Sequence, residues 1–286
     1  MPGAFYFYIV ANTSPIGIFD SGYGGLTVFR SILDKLPQYD YIYLGDNARA
    51  PYGGRSFSTI HQYTWESVQA LFDMGCPLVI LACNTASAKA LRTIQQRDLP
   101  QTADPSRRVL GVIRPTAQVI GHHTKTSHIG VLGTKGTVTS GSYVIEINHF
   151  FPDVHVHQQA CPLWVPLIEN GELEGAGADY FVKKYIDEVM QQSTEIDTLL
   201  LACTHYPLLL GNIKAHLPDG IQVIAQGDIV AGSLANYLVR HPYMDQRISS
   251  GGTQRFFTTS DDTADFDRQA SLFFSAEVKS EYLPLK

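Results

Sequence analysis

Two matching stretches of the sequence decide the fold. Residues 79–86 read Val-Ile-Leu-Ala-Cys-Asn-Thr-Ala, and residues 199–206 read Leu-Leu-Leu-Ala-Cys-Thr-His-Tyr. In each stretch an apolar run that is typical of a buried strand ends in a cysteine, and polar residues follow. The cysteines, Cys83 and Cys203, lie about 120 residues apart, and residues 16–22 match residues 129–135 at nearly the same offset. Self-similarity at this distance predicts two related α/β halves rather than a short-period repeat.

The sequence around these stretches predicts parallel sheets. Short apolar runs alternate with segments of helical period, as in strands that are joined by crossover helices. In the first such unit, residues 16–19 read as a strand, apolar residues recur at helical spacing from Leu26 to Leu36, and Pro37 ends the helix. Further strands are predicted at residues 41–44, 78–82, 109–113, 128–132, 154–157, 198–202 and 222–225.

The predicted fold class is α/β, with two pseudo-symmetric lobes that each contain a doubly wound parallel sheet. We expect residues 1–108 and 219–286 to form the first lobe and residues 109–218 to form the second, because the repeat ends near both crossings and prolines lie close by. Ligands of such sheets bind beyond the carboxyl ends of the strands. We therefore expect a site between the lobes, where Cys83 and Cys203 face each other.

Composition excludes several classes of function. The 286 residues are 44% hydrophobic, and the net charge of −6 provides no basic surface for nucleic acid. Residues 1–14 are expected to form an extension before the first strand, and the six apolar residues within it are too few for a signal peptide or a membrane span. The four cysteines lack C-x-x-C spacing, which favours reduced thiols and a cytoplasmic location. No second histidine cluster completes a zinc site with them, so we expect no metal.

Two opposed thiols can invert a stereocentre. One thiolate removes a proton from carbon, and the other thiol returns a proton to the opposite face. A strand that ends in cysteine and turns into a helix brings the sulfur near backbone N–H groups, which predicts a lowered pKa for Cys83. Asp20 and His205 lie where they can orient or activate a thiol. Simple burial of the thiols, a turn aspartate and a packing histidine are the structural alternatives.

Removal of a proton beside a carboxylate builds negative charge that needs hydrogen-bond donors. Neutral donors follow the predicted strands at Ser21, Asn84, Thr85, Thr134, Thr137 and Thr204. Residues 50–55 read as a loop that can flank the same cleft, or as a plain surface turn. Glu169 is either a helix-end carboxylate or an auxiliary group of the cleft.

These motifs resemble those of the cofactor-independent glutamate racemases. The matching segments are residues 17–22, 51–53, 82–87, 133–138, 161–169 and 202–207. The resemblance implies two flavodoxin-like lobes with the active site between them, a homodimer, and no cofactor. It also implies that the enzyme interconverts L- and D-glutamate and supplies D-glutamate for bacterial peptidoglycan.

The resemblance assigns roles to individual residues. Cys83 would deprotonate D-glutamate and Cys203 would deprotonate L-glutamate, with assistance from Asp20, His205 and Glu169. The substrate-binding residues that it implies are Asp20, Ser21, Pro51, Tyr52, Gly53, Asn84, Thr85, Thr134, Thr137, Thr204 and His205.

The chain departs from the usual family pattern at two places. Thr116 stands where glycine is usual, and residues 225–227, which read Ala-Gln-Gly, replace a more usual Asp-Ser-Gly or Asp-Pro-Gly. These departures leave the local loop shape open. The residues from about 245 onward add little to the resemblance.

Three other functions fit parts of the pattern. An aspartate racemase shares the two-thiol plan, but residues 204–206 look like the glutamate enzymes. A non-catalytic amino-acid-binding protein has no use for paired thiols. A pyridoxal-dependent racemase needs a lysine beside a phosphate loop, and only Lys135 lies at a strand end.

Overall fold

A computed structural model describes residues 14–285 and contains two parallel β-sheets. The extension that we predicted over residues 1–14 lies, apart from Ser14, outside the described residues. The strands are β1 (Ile16–Asp20), β2 (Tyr41–Gly45), β3 (Leu78–Leu81), β4 (Arg108–Gly111), β5 (His128–Gly133), β6 (His155–Ala160), β7 (Thr198–Ala202), β8 (Gln222–Ile224), β9 (Gln254–Thr258) and β10 (Ser280–Tyr282).

The two sheets repeat one strand order. The six-stranded sheet runs β10-β9-β2-β1-β3-β4, and the four-stranded sheet runs β6-β5-β7-β8. All neighbouring strands are parallel. The order β2-β1-β3-β4 within the larger sheet is therefore the same as the order β6-β5-β7-β8. This confirms the repeat that we predicted from the cysteine stretches. Cys83 follows β3 and Cys203 follows β7, so the two thiols occupy equivalent positions.

Helices connect the strands. They are α1 (Gly25–Lys35), α2 (Phe57–Asp73), α3 (Asn84–Lys89), α4 (Leu91–Thr93), α5 (Ile113–Ile120), α6 (Lys135–Ser140), α7 (Ser142–Phe150), α8 (Trp164–Glu169), α9 (Ala176–Met190), α10 (Leu210–Ala215), α11 (Gly227–Arg240), α12 (Pro242–Asp245) and α13 (Thr263–Phe274). A π-helical turn at Ile94–Asp98 follows α4, and short 3₁₀ helices lie at Asn47–Arg49, Leu99–Gln101 and Tyr206–Leu209.

The central strands β1, β2 and β3 of the six-stranded sheet are buried on both faces. Successive side chains of a strand point to opposite faces, so Tyr43 packs in one apolar cluster with α1, and Leu44 packs in another with α2. Continuous burial of this kind is typical of a parallel sheet between two helical layers. The doubly wound arrangement that we predicted is thus present.

All eight predicted strands are present, with ends that differ by a few residues. The sequence did not predict β9 and β10. Strand β9 pairs with β2 and strand β10 pairs with β9, so the chain after residue 245 extends the first sheet although it adds little to the family resemblance.

The chain passes from one sheet to the other at later residues than the predicted lobe boundaries. Strand β4 belongs to the six-stranded sheet and β8 belongs to the four-stranded sheet. Boundaries at residues 109 and 219 would therefore assign each of these strands to the wrong sheet. The division into two lobes as units stays a prediction.

Helix α13 provides a test of how the C-terminal region contributes to stability. Phe274 is 3% exposed and its ring centroid lies 5.3 Å from those of Phe29 and Phe256, whereas Leu272 of the same helix is 67% exposed. We expect Phe274→Ala to lower the free energy of unfolding by about 3–5 kcal/mol, because it opens a cavity in the core. The matched control Leu272→Ala should change it by no more than about 0.5 kcal/mol. Urea denaturation measures both, and equal small effects would contradict this packing.

Candidate active site

Cys83 lies at the turn between β3 and α3. It is the N-cap residue of α3, and its sulfur accepts a hydrogen bond from the backbone N–H of Ala86 at 3.4 Å. Ser21 Oγ, after the neighbouring strand β1, lies 3.5 Å from the same sulfur. The side chain is only 5% exposed. The predicted position at a helix start is therefore present.

The predicted pKa direction of Cys83 is wrong. Burial raises the pKa of Cys83 to about 12, the negative charge of Asp20 adds to this effect, and the hydrogen bonds from Ser21 and Ala86 oppose it. The sequence showed the helix start, which favours the thiolate, but could not show how completely the thiol is removed from water. The protonated form of Cys83 is favoured in this structure.

A histidine and a carboxylate accompany Cys203. His205 Nδ1 lies 3.9 Å from the sulfur of Cys203, and His205 Nε2 lies 3.0 Å from Glu169 Oε1 at the end of α8. Burial disfavours the charged imidazole, but hydrogen bonds and charges of Cys203 and Glu169 outweigh burial and raise the pKa of His205 to about 10. Glu169 thus ends α8 and contacts His205. The sequence alone did not decide between a helix-end carboxylate and an auxiliary group of the cleft.

Asp20 ends strand β1 and is almost completely buried. Its Oδ1 accepts a hydrogen bond from the backbone N–H of Gly22 at 2.9 Å, and its Oδ2 has no hydrogen-bond partner. Burial raises the pKa of this carboxyl above its usual value, and the nearby charge of His205 partly opposes that rise. An unpartnered buried carboxylate oxygen is costly unless a donor reaches it, so Asp20 is a candidate ligand-binding group.

The glycines after Asp20 allow close packing within the site. A Cβ atom on Gly24 would lie 2.3 Å from both His205 Nδ1 and Thr204 Oγ1, and a Cβ atom on Gly25 would lie 2.5 Å from Asp20 Cβ. These positions therefore require glycine because the side chains of the site approach the backbone. They link the end of β1 to the residues that follow β7.

Threonines that start two different helices meet beside the loop of residues 51–54. Thr134 caps α6 by accepting a hydrogen bond from the backbone N–H of Thr137 at 3.2 Å. Its hydroxyl lies 2.9 Å from that of Thr85 in α3 and 3.1 Å from that of Thr137. Gly53 O accepts a hydrogen bond from Gly136 N at 2.8 Å. Four of the predicted binding residues are thus brought together: Gly53, Thr85, Thr134 and Thr137.

The remaining predicted binding residues differ in burial and in which of their atoms already make hydrogen bonds. The hydroxyl of Tyr52 donates to Asp46, so only other atoms of this buried residue are free for a ligand. Pro51 is exposed at the start of the loop. Thr204 is buried, and its carbonyl accepts a hydrogen bond from Thr27 Oγ1 at 2.9 Å.

Asn84 belongs to a buried polar network that the sequence did not predict. Its amide contacts Gln226 and Tyr143, and Gln226 also contacts Thr116. Thr116 and Gln226 are the two departures from the family pattern, and those departures were the only signal in the sequence that could have pointed to the network.

Three further findings concern metal ligands, membrane spans and disulfides. Within residues 14–285 no group of three or more histidine, cysteine, aspartate or glutamate side chains could hold a metal ion. No helix in the described part of the chain is both long and apolar enough to cross a membrane. All four cysteines are free thiols.

Comparison with known proteins agrees with this geometry. The family model described as Asp/Glu/Hydantoin racemase matches residues 16–234. The glutamate racemase of Listeria innocua is 41% identical over 85% of this chain and 88% of its own.

Solved structures agree as well. The glutamate racemase isoform RacE1 from Bacillus anthracis matches with a TM-score of 0.85 and 32% identity, over 95% of this chain and 98% of its own. The glutamate racemase from Francisella tularensis, solved in complex with D-glutamate, matches with a TM-score of 0.82 and 29% identity, over 96% of this chain and 99% of its own. With its paired strand-end thiols and a family match that covers most of the chain, this chain belongs to the Asp/Glu/hydantoin racemase family.

Proposed function

We propose that this protein interconverts L- and D-glutamate without a cofactor, by proton transfer between the substrate and two cysteines. The observation that carries the proposal is the pair of thiols, Cys83 and Cys203, at equivalent strand ends with different charged neighbours. The similarity to curated glutamate racemases supports glutamate as the substrate.

The charged neighbours suggest how the two thiols divide the work. His205, held by Glu169, is a cation whose Nδ1 lies 3.9 Å from the sulfur of Cys203. Asp20 and burial favour the protonated form of Cys83. In this arrangement Cys203 is the base toward L-glutamate, and Cys83 is the acid.

The proposed reaction is balanced in protons. The thiolate of Cys203 takes the α-proton of L-glutamate and becomes a thiol, which leaves a carbanion on the substrate. The thiol of Cys83 gives its proton to the opposite face, and D-glutamate forms while Cys83 becomes a thiolate. The reverse reaction uses the same groups in exchanged roles, as general acid–base catalysis requires.

Substrate binding uses the polar groups around the thiols. The ammonium group of an amino acid supplies the donor that Asp20 Oδ2 lacks. The hydroxyls of Ser21, Thr85, Thr134, Thr137 and Thr204, the amide of Asn84 and backbone groups of residues 51–53 are the proposed donors for the two carboxylates. Such donors favour the negative charge that develops next to the α-carboxylate.

Access to the thiols requires movement. Both cysteines are 5% exposed, and the cavity of about 160 Å³ that reaches Cys203 and Thr204 does not include Cys83. A substrate that contacts both sulfurs therefore enters only when the segments around them separate, a step that is common in enzymes that exclude water.

The same proposal includes a cellular location, a metabolic role and an oligomeric state. The two thiols must stay reduced, which a cytoplasmic location ensures. We propose that the D-glutamate enters peptidoglycan synthesis and that the enzyme is a homodimer, both on the family resemblance.

The direct test of the proposed function is an assay of the purified protein with L-glutamate in buffer without added cofactor. We expect formation of D-glutamate, and exchange of the α-proton when the solvent is D₂O. Faster turnover of aspartate than of glutamate would favour an aspartate racemase, binding without exchange would indicate an amino-acid-binding protein, and dependence on added pyridoxal phosphate would exclude the two-thiol chemistry.

Serine substitutions test the two thiols. We expect Cys83→Ser and Cys203→Ser each to lower kcat by at least about 10³-fold, because a hydroxyl is a far weaker acid than a thiol. The matched control is Cys76→Ser, which changes a fully buried thiol of the apolar core. Circular dichroism checks that each variant is folded. Near-parental turnover in either site variant would refute the assignment.

The charge of Glu169 should appear in the pH dependence of stability. The pKa of His205 is raised from 6.5 to about 10, so its stabilising contribution is complete below pH 6.5 and is lost as the pH rises toward 10. We expect Glu169→Gln to lower that pKa, and so to reduce the loss of unfolding free energy between about pH 6.5 and 8.5; the titration of the unfolded cysteines near pH 8.5 is common to the parent and the variants.

Urea denaturation at both pH values measures this loss. The exposed Glu172 provides the matched control, and Glu172→Gln should keep the parental pH dependence. If the two variants show the same pH dependence, the His205–Glu169 interaction does not set the charge of His205.

A further inference from the structure

Three buried side chains close a ring of hydrogen bonds directly after Cys83. Asn84 Nδ2 donates to Gln226 Oε1 at 2.7 Å, Gln226 Nε2 donates to Tyr143 Oη at 2.6 Å, and Tyr143 Oη donates to Asn84 Oδ1 at 2.6 Å. Each of the three is at most 3% exposed. Each of the three bonds pairs one donor with one acceptor, so the ring fixes all three side chains.

The ring joins segments that are far apart in sequence. Asn84 begins α3 after the six-stranded sheet, and Tyr143 lies in α7, which packs with the apolar cluster of the four-stranded sheet. Gln226 precedes α11, at the crossing from β8 back to the first sheet. The orientation of Asn84 therefore depends on both sheets being in place.

The residue next to the ring sets its direction. A ring of two amides and a phenol could run in either sense, since an amide keeps its shape when its oxygen and nitrogen exchange places. Thr116 Oγ1 donates to Val112 O at 2.8 Å, so toward Gln226 it can only accept, and Gln226 Nε2 donates to it at 2.9 Å. Val112 O, which can also only accept, lies farther from Gln226 Nε2, at 3.5 Å. The nitrogen of Gln226 must therefore face Thr116 and its oxygen must face Asn84.

This direction decides which atom Asn84 offers next to Cys83. One hydrogen of Asn84 Nδ2 is used by Gln226, and the second is free to donate to a ligand. If the ring ran in the opposite sense, the nitrogen and oxygen of Asn84 would exchange places, and an acceptor would lie where the donor now is. A carboxylate ligand accepts hydrogen bonds only, so the two senses differ in affinity for it.

We propose that Gln226 and Thr116 are positioning residues that fix the amide of Asn84 with its free N–H toward the substrate carboxylate. This inference rests on the proposed function, since it assumes that Asn84 binds glutamate.

The test compares three variants of the full-length protein with L-glutamate as substrate. Gln226→Met keeps the size of the side chain but breaks the ring, and we expect kcat/KM to fall at least about ten-fold, mostly through a higher KM. Thr116→Val removes the nearer of the two acceptors that set the direction and leaves Val112 O, so it should raise KM by a smaller factor. Thr116→Ser restores the hydroxyl and should keep kcat/KM within about two-fold of the parent.

A structural control separates positioning from stability. Tyr41 is buried in the six-stranded sheet, and its hydroxyl donates to Leu36 O at 2.7 Å, so Tyr41→Phe also removes one buried hydrogen bond. We expect Tyr41→Phe to lower Tm without changing KM. If Gln226→Met leaves KM at the value of Tyr41→Phe, or if Thr116→Ser behaves like Thr116→Val, the inference is wrong.

Failure of the inference and failure of the proposed function give different results. A parental protein that racemises glutamate, with a Gln226→Met variant of equal KM, contradicts only the inference. A parental protein that does not racemise glutamate contradicts the proposed function. In that case calorimetric titration with D-glutamate still tests the ring, because the inference requires Gln226→Met to bind more weakly than the parent.

Discussion

The site depends on the unequal charge around two thiols at equivalent positions. The strand order is the same in both sheets, and each thiol follows the third strand of its own unit, so the fold alone would make Cys83 and Cys203 alike. Asp20 and the His205–Glu169 pair remove that equivalence, because one places negative charge beside a thiol and the other places positive charge. The proposed two-base reaction needs one protonated and one unprotonated group at its start, and the surroundings of Cys83 favour its protonated form.

The sequence predicted the parts of the fold that depend on local apolar runs. The strands that precede Cys83 and Cys203 are short, buried and apolar apart from Thr198, and the alternation with helices left few other arrangements. Strands β9 and β10 were missed because they carry polar and exposed residues such as Gln254, Arg255 and Glu281, and they pair only through contacts with a strand more than 200 residues earlier or with each other.

The sequence predicted the candidate site residues better than their electrostatics. The relation of Asp20 to Cys83 and of His205 to Cys203 could be inferred from strand ends, since parallel strands bring their carboxyl ends to one edge. The pKa of Cys83 depends on burial by residues from many parts of the chain, and no local pattern reports that. Gln226 was missed for a similar reason, because its partners Asn84, Thr116 and Tyr143 lie far from it in sequence.

The central claim concerns the position of the substrate between the two sulfurs. A crystal structure of the parental protein with glutamate bound tests it most directly. The account predicts that Cys83 Sγ and Cys203 Sγ lie on opposite faces of the α-carbon, each about 3–3.5 Å from it, as a reactive geometry requires. Both sulfurs on one face, or either sulfur far from the α-carbon, would contradict it.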